Sequence, residues 1–356
     1  MPASMACLSL HNVVRRAPGS VTAATTVEGR IMARLARGDT PGVRPDAMSR
    51  HWRGERGRLE VWYASITDRD SGTGCWIHHE TVAPLSGAAY THGWVVVFPP
   101  ASPPVLERFG PEPVSHDETD GALSRTAGAT FDPPTLRGQA GRVRWDLHWV
   151  HDVESRPLFT FPAWVWSRDV LPAAAVAPVP DALFVGSIAV DGVARVLSPS
   201  TRGGIGHIYG HGNAERWGWL HAGLGDGDVL EIVSAVSRRA GLNRLPPLAF
   251  VQLRRSGHDW PRDPLAAAPL FRTRLDLPTW RVHGTVGRWR LRTEITLPDP
   301  GTVAVGYADP DGATATCTNS EIADAEIVLE YRRRRWEVER AWHLRGTAHS
   351  EIGLRP

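Results

Sequence analysis

The sequence predicts an all-β protein of two β domains packed side by side. Three observations predict it. The 356 residues are too many for one ordinary core and suit two. Short segments of strand composition recur along most of the chain, separated by Gly, Pro and Asp clusters. No long segment carries a strong 3.6-residue period, so neither half reads as helical.

Residues 1–50 stand apart, with scattered Arg, Ala, Thr and Pro, few acids and no clean period. They read as a tail outside the fold, faintly like an organellar transit peptide, with Met48 as an alternative start. The first domain is expected over residues 51–180. Arg58 to Ile66 is rich in strand formers and ends in a turn cluster, and Cys75 to Val82 returns as its hairpin partner. Gly93 to Phe98 is a short buried run stopped by Pro99-Pro100, and residues 99–140 read as irregular connections with one or two strands. Gly141 to His151 alternates cleanly, with Val143, Trp145, Leu147 and Trp149 on one face. Pro157 to Trp166 is aromatic and broken by Pro162, and Pro172 to Pro180 reads as the crossing between domains.

The second domain is expected over residues 181–356. Leu183 to Leu197 is a hairpin around Asp191-Gly192, and Trp217 to Val236 is a second. Strands are expected at Leu248 to Arg254, Leu270 to Leu275, Trp280 to Thr285, Arg288 to Leu297, Thr302 to Tyr307, Ala325 to Tyr331 and Trp336 to Leu344. The polar runs Thr318 to Glu321 and Arg345 to Glu351 read as turns or strand ends, and Arg332 to Arg335 as a solvated hairpin turn.

Composition excludes several functions. The formal net charge of +2 leaves no electrostatic footprint for nucleic acid or an anionic membrane. Every basic residue is arginine, which rules out a phosphate loop built on Gly-Lys, a lysine Schiff base and a pyridoxal phosphate enzyme. Cys7, Cys75 and Cys317 give neither a disulfide framework nor a zinc knuckle, so a reducing, cytoplasmic setting is the default. No apolar run reaches the length of a membrane-crossing helix. Fifteen Trp against eight Phe and five Tyr suits either core filling or a pocket for an extended apolar ligand.

The richest segment runs from Gly203 to His221. As a strand, its end puts Glu215, Trp217, Trp219 and His221 on one face and Gly218 on the other. A carboxyl group among indoles has its pKa raised and can act as an acid. The alternative is an amphipathic strand with Glu215 paired to an arginine. The glycines here make no dinucleotide loop, because no strand–helix unit follows. In Trp76-Ile77-His78-His79-Glu80, a strand puts His78 with Glu80 and His79 opposite. A metal site there would need further ligands such as His148 or His151, and none is expected.

The chain resembles the two-domain lipocalin-like proteins that include carotenoid 1,2-hydratases, tocopherol cyclases and decalin-forming Diels–Alderases. The resemblance rests on Trp62-Tyr63-Ala64 through Trp76-Ile77-His78, on Trp145-Asp146-Leu147-His148-Trp149 followed by Phe159-Thr160-Phe161-Pro162, and on the lead-in to Trp217-Gly218-Trp219. It is nearest to actinobacterial members, in Ala214 to Trp217. It implies two lipocalin-like barrels or sandwiches, a ligand pocket near their junction, no redox cofactor, and protonation or folding of an isoprenoid or polyene. Related hydratases carry Asn-Trp-Gly before a second tryptophan, whereas here His211-Gly212-Asn213 precedes Trp217-Gly218-Trp219. The expected proton donor is Glu215 or His211. Tyr209, Asn213, Trp217, Trp219, His221, His78 and Trp149 are the expected ligand contacts, with no metal and no cofactor. The expected partner is an apolar small molecule. Peripheral membrane contact and the oligomeric state stay open. The alternatives are a non-catalytic carrier of the same class of ligand and a partner-binding β protein without an internal cavity.

Overall fold

The computed structural model describes residues 45–114, 122–151, 155–166 and 171–356. They form two antiparallel sheets, of twelve and ten strands. The first sheet runs in the order Val105–Pro113, Tyr90–Phe98, Thr73–Ala83, Arg58–Asp68, Arg202–Gly210, Ala173–Val190, Val143–Val150, Thr135–Ala140, Ala129–Asp132, Ser124–Arg125. It curls until its ends meet: the Ala127 N–H donates to Glu112 at 2.8 Å, and Arg142 pairs with Glu107 at 3.3 Å. The enclosed core holds Trp62, Trp145, Trp149, Phe131 and Phe184, all wholly buried. The second sheet runs His258–Trp260, Leu248–Arg255, Asp228–Val236, Arg216–Gly225, Trp336–Leu354, Thr314–Arg332, Trp289–Thr296, Thr279–Val286, Phe271–Arg274. Trp280, Phe271 and a set of Leu, Ile and Val side chains fill its own core. This is the all-β pair of domains that the strand pattern predicts, and the lipocalin-like pair that the family resemblance implies. No described helix is long and apolar enough to cross a membrane.

Strand alternation decides what each face does. Along Arg58–Asp68, Trp62, Ala64 and Ile66 enter the first core, while Val61, Tyr63 and Thr67 face the second sheet. The two sheets meet there. The Thr67 hydroxyl lies 2.8 Å from His349 Nε2 and donates to the Glu321 carbonyl at 3.0 Å. Gly206 stands opposite Tyr63 in the ladder, and the Tyr63 ring lies across it; a Cβ there would fall 2.0 Å from the ring. The Asp191-Gly192 hairpin turn has φ of 52° and 78°, both left-handed, as a two-residue turn matching strand twist requires.

The structure corrects the sequence in four places. The expected boundary at 180/181 falls inside the strand Ala173–Val190, and sheet membership changes only between Gly210 and Arg216. Pro178 and Pro180 sit where the register slips between Val176, Val179 and Ala182, so their missing N–H groups interrupt no regular ladder. The described residues of 99–140 include four strands: three are six residues or fewer, too short for much alternation, and Val105–Pro113 carries Gly110, Pro111 and Pro113, which read as breakers. Residues 45–50, grouped with the tail, include Ala47 and Met48, both buried; the Ala47 carbonyl lies 2.9 Å from His207 Nδ1. The rest of that tail, with Cys7, lies outside the described residues. Finally, the polar runs at 318–321 and 345–351 are the far halves of two 19-residue strands, Thr314–Arg332 and Trp336–Leu354. They pair with each other, Asn319 with Glu351 and Ser320 with Ser350, and lie in the junction between the sheets.

Candidate active site

A cavity of about 850 Å³ lies at that junction. The first sheet contributes Leu59, Val61, Tyr63, Trp76, His78, Glu80 and Ile208; the second contributes Trp217, Trp219, Val233, Phe250, Tyr307 and Glu351. Aromatic rings form its inner wall. Tyr63 meets Trp219 edge-on at 5.5 Å, His78 meets Tyr307 at 5.7 Å, and His78 stacks on Trp94 at 3.9 Å. Exposed His211, Arg239, Leu242 and Leu248 mark the mouth.

Two carboxyl groups face this cavity, in opposite electrostatic settings. Glu351 is placed by the strand Trp336–Leu354. Burial pushes its pKa above the usual carboxylate range, although Trp217, Cys317 and Asn319 oppose the shift. Trp217 Nε1 donates to it at 2.7 Å and Cys317 Sγ at 3.2 Å. Glu80 is also buried, which disfavours its charge, yet His78 and His92 outweigh that and hold it down at about 2. Their ring nitrogens stand 3.6 and 3.4 Å from Glu80 Oε2. Burial lowers the pKa of His78 and raises those of Tyr63 and Tyr307, so the imidazole stays neutral and the phenols stay protonated at neutral pH. The cavity therefore presents two carboxyl groups whose pKa values are pushed apart, Glu351 up and Glu80 down, the environment pattern of an acid and a base on one site. Among the described residues no three metal-ligating side chains converge.

Behind the wall lies a second polar layer. Glu231 accepts from Trp219 Nε1 at 2.6 Å and contacts His221 Nδ1 at 2.7 Å. His221 stacks on His349, whose Nδ1 stands 3.6 Å from the wholly buried Glu321. Burial raises the pKa of Glu321 well above the usual carboxylate range and lowers that of His349, which keeps the imidazole neutral at neutral pH. At the mouth, the buried Asp309 carboxylate accepts from Asn213 Nδ2 at 2.8 Å and from Arg238 at 3.2 Å, and pairs with Arg355.

The structure brings some expected site residues together and separates others. Trp217, Trp219, Asn213 and His78 line the cavity, and His211 sits at its mouth with Nδ1 accepting from Arg58 at 2.6 Å. Glu215 precedes the strand Arg216–Gly225 and does not line the cavity. His221 lies behind the wall on Glu231. Tyr209 faces away, packing 5.4 Å from His51, while its neighbour Ile208 faces in. Trp149 belongs to the core of the first sheet. Glu351 and Glu80 were not among the expected residues. Glu80 shares a face with His78, a signal the strand alternation carries; Glu351 is reached only by extending the hairpin from its Arg333–Arg335 turn through the polar runs.

A sequence profile described as tocopherol cyclase-like matches residues 205–354. Over 304 residues the chain is 47% identical to the uncharacterized protein Rv0493c of Mycobacterium tuberculosis, covering 85% of this chain and 88% of that one. The chain belongs to one family with that mycobacterial protein, and its residues 205–354 are tocopherol cyclase-like. Solved structures with this arrangement include CghA with Sch210972, at a TM-score of 0.56 and 13% identity over 84% of this chain and 88% of that one. Kievitone hydratase from Nectria haematococca aligns at a TM-score of 0.53 and 11% identity, over 88% and 95%. At these identities the likeness is one of fold.

Proposed function

We propose that the protein binds an extended apolar isoprenoid or polyene in the junction cavity and protonates one of its double bonds, without a redox cofactor. The observation that carries this reading is Glu351, a carboxyl group whose pKa burial raises, facing a cavity walled by aromatic rings. The proton passes from Glu351 to the less substituted alkene carbon. The alkene π pair forms the new C–H bond, and the neighbouring carbon is left as a carbocation. The ring faces of Trp217 and Trp219 stabilise that charge by about 1–2 kcal/mol each once water is excluded. The Glu80 carboxylate adds a fixed negative charge in the same cavity. Water or an internal nucleophile then captures the cation, and its lost proton returns a neutral Glu351. Glu351 thus takes the role expected of Glu215 or His211, since it lies on the aromatic wall, whereas Glu215 does not line the cavity and His211 sits at its exposed mouth.

The test is incubation with candidate polyprenyl and polyene compounds in D₂O, followed by mass spectrometry of the extract. The expected product carries one carbon-bound deuterium and disappears in Glu351→Gln. Ligand that binds and is recovered unchanged and undeuterated would make the protein a carrier instead.

A further inference from the structure

Segment 237–248 joins Asp228–Val236 to Leu248–Arg255 and frames one side of the cavity mouth. It holds Arg238, Arg239, Arg244, Leu242, Leu245 and Leu248, and no acidic residue. The three leucines are 45%, 53% and 47% exposed, an apolar display that water does not favour. Arg238 anchors the base of the segment on Asp309 and Asp311. Arg239 and Arg244 are exposed, and neither has an ion-pair partner among the described residues. Leu242 and Leu248 also line the cavity, so the apolar surface runs from the outside of the segment inward without a break. A second apolar group stands nearby: Trp164, 47% exposed, lies on the short helix Ala163–Trp166, just beyond Phe161, whose ring packs on Phe250 at 4.4 Å.

We propose that this segment docks the cavity mouth onto a lipid bilayer bearing anionic headgroups. Arginines with leucines between them, on an acid-free stretch, match the two layers of such a surface, phosphate above and hydrocarbon below. Tryptophan prefers the same interface. The continuous apolar path gives a molecule dissolved in the bilayer a way into the cavity that does not cross water. The proposal uses the cavity and its mouth, and it is independent of the reaction carried out inside.

Flotation of the full chain with vesicles of phosphatidylcholine, with and without phosphatidylglycerol, tests it with no substrate present. Leu245→Ser and Arg244→Gln both lie outside the cavity lining, so they probe docking alone. The protein is expected to float with the anionic vesicles, and less as salt is raised. The bound fraction falls in both variants, by about five-fold in affinity for the arginine. No flotation, equal flotation with both vesicle types, or flotation that both variants leave intact would overturn the proposal. Because the readout is vesicle binding, its failure leaves the reaction untouched, and a failed reaction leaves it standing.

Discussion

Trp217 donates its indole N–H to the carboxyl group of Glu351 at 2.7 Å, across two neighbouring strands of the second sheet. In the ladder Trp217 is paired with Gly353, not with Glu351, so the indole crosses Gly353 to reach the acid. A Cβ on Gly353 would fall 2.0 Å from the ring. The acid, the indole and the glycine form one unit.

Gly353→Ala therefore acts on the site without touching the acid. The indole must move, and its bond to Glu351 is lost. Overpacking of this kind costs about 1–3 kcal/mol. Urea denaturation should show that loss, and turnover should fall in the same variant. Unchanged stability and turnover would mean that the ring position is not fixed by this glycine.

Glu351→Gln keeps the shape of the side chain and removes its transferable proton. Loss of a general acid lowers turnover by about 10²–10⁴. The fold should survive, because glutamine keeps the shape and its side-chain carbonyl can still accept from the Trp217 indole, and burial already disfavours a charge at this position. In the wild type, turnover should fall as pH rises through the elevated Glu351 pKa, as the proton donor is lost.

Acid should destabilise the protein by a path that begins well above the ordinary carboxylate range. Burial holds His79 down at about 3, against 6.5 in the unfolded chain. Below pH 6.5 the unfolded chain takes up a proton that the folded one refuses, so stability falls by at most about 1.4 kcal/mol per pH unit until about pH 3. Glu80 adds a loss of the same sign from pH 4.5 down to about 2. Glu351 and Glu321 act oppositely: their raised values mean that stability declines as pH rises from 4.5 through them. Urea midpoints at pH 7 and 5.5 should differ in the wild type and differ less in His79→Gln. Parallel behaviour of the two proteins would remove His79 from the account.

Much of this architecture is legible in the residues. The alternation from Val143 to Trp149 and the Asp191-Gly192 turn have local causes, and both appear as the pattern predicts. Trp217 and Trp219 share a face because a strand leaves no other choice. What sequence could not supply was the second surface. Thr318 to Glu321 and Arg345 to Glu351 are polar and look like turns, yet Asn319 to Glu321 and Ala348 to Ser350 within them are buried where the two strands meet the first sheet. Burial of polar runs in a junction is a tertiary fact; neither propensity nor hydropathy encodes it. For the same reason Glu215 looked better placed than Glu351. It continues the alternation of Trp217 and Trp219, but the strand begins one residue after it. The tryptophan excess has two causes at once: five rings are wholly buried in the structure, while Trp76, Trp217 and Trp219 line the cavity.

The central claim is that Glu351 holds its proton to a higher pH than an exposed glutamate does. Carbon-13 NMR titration of glutamate side-chain carboxyls tests it directly, with Glu351→Gln identifying the signal. The predicted resonance titrates above the ordinary carboxylate range and is absent from the variant. A Glu351 signal titrating at or below the range of an exposed glutamate would show a carboxylate on the cavity wall and contradict the assignment of the acid.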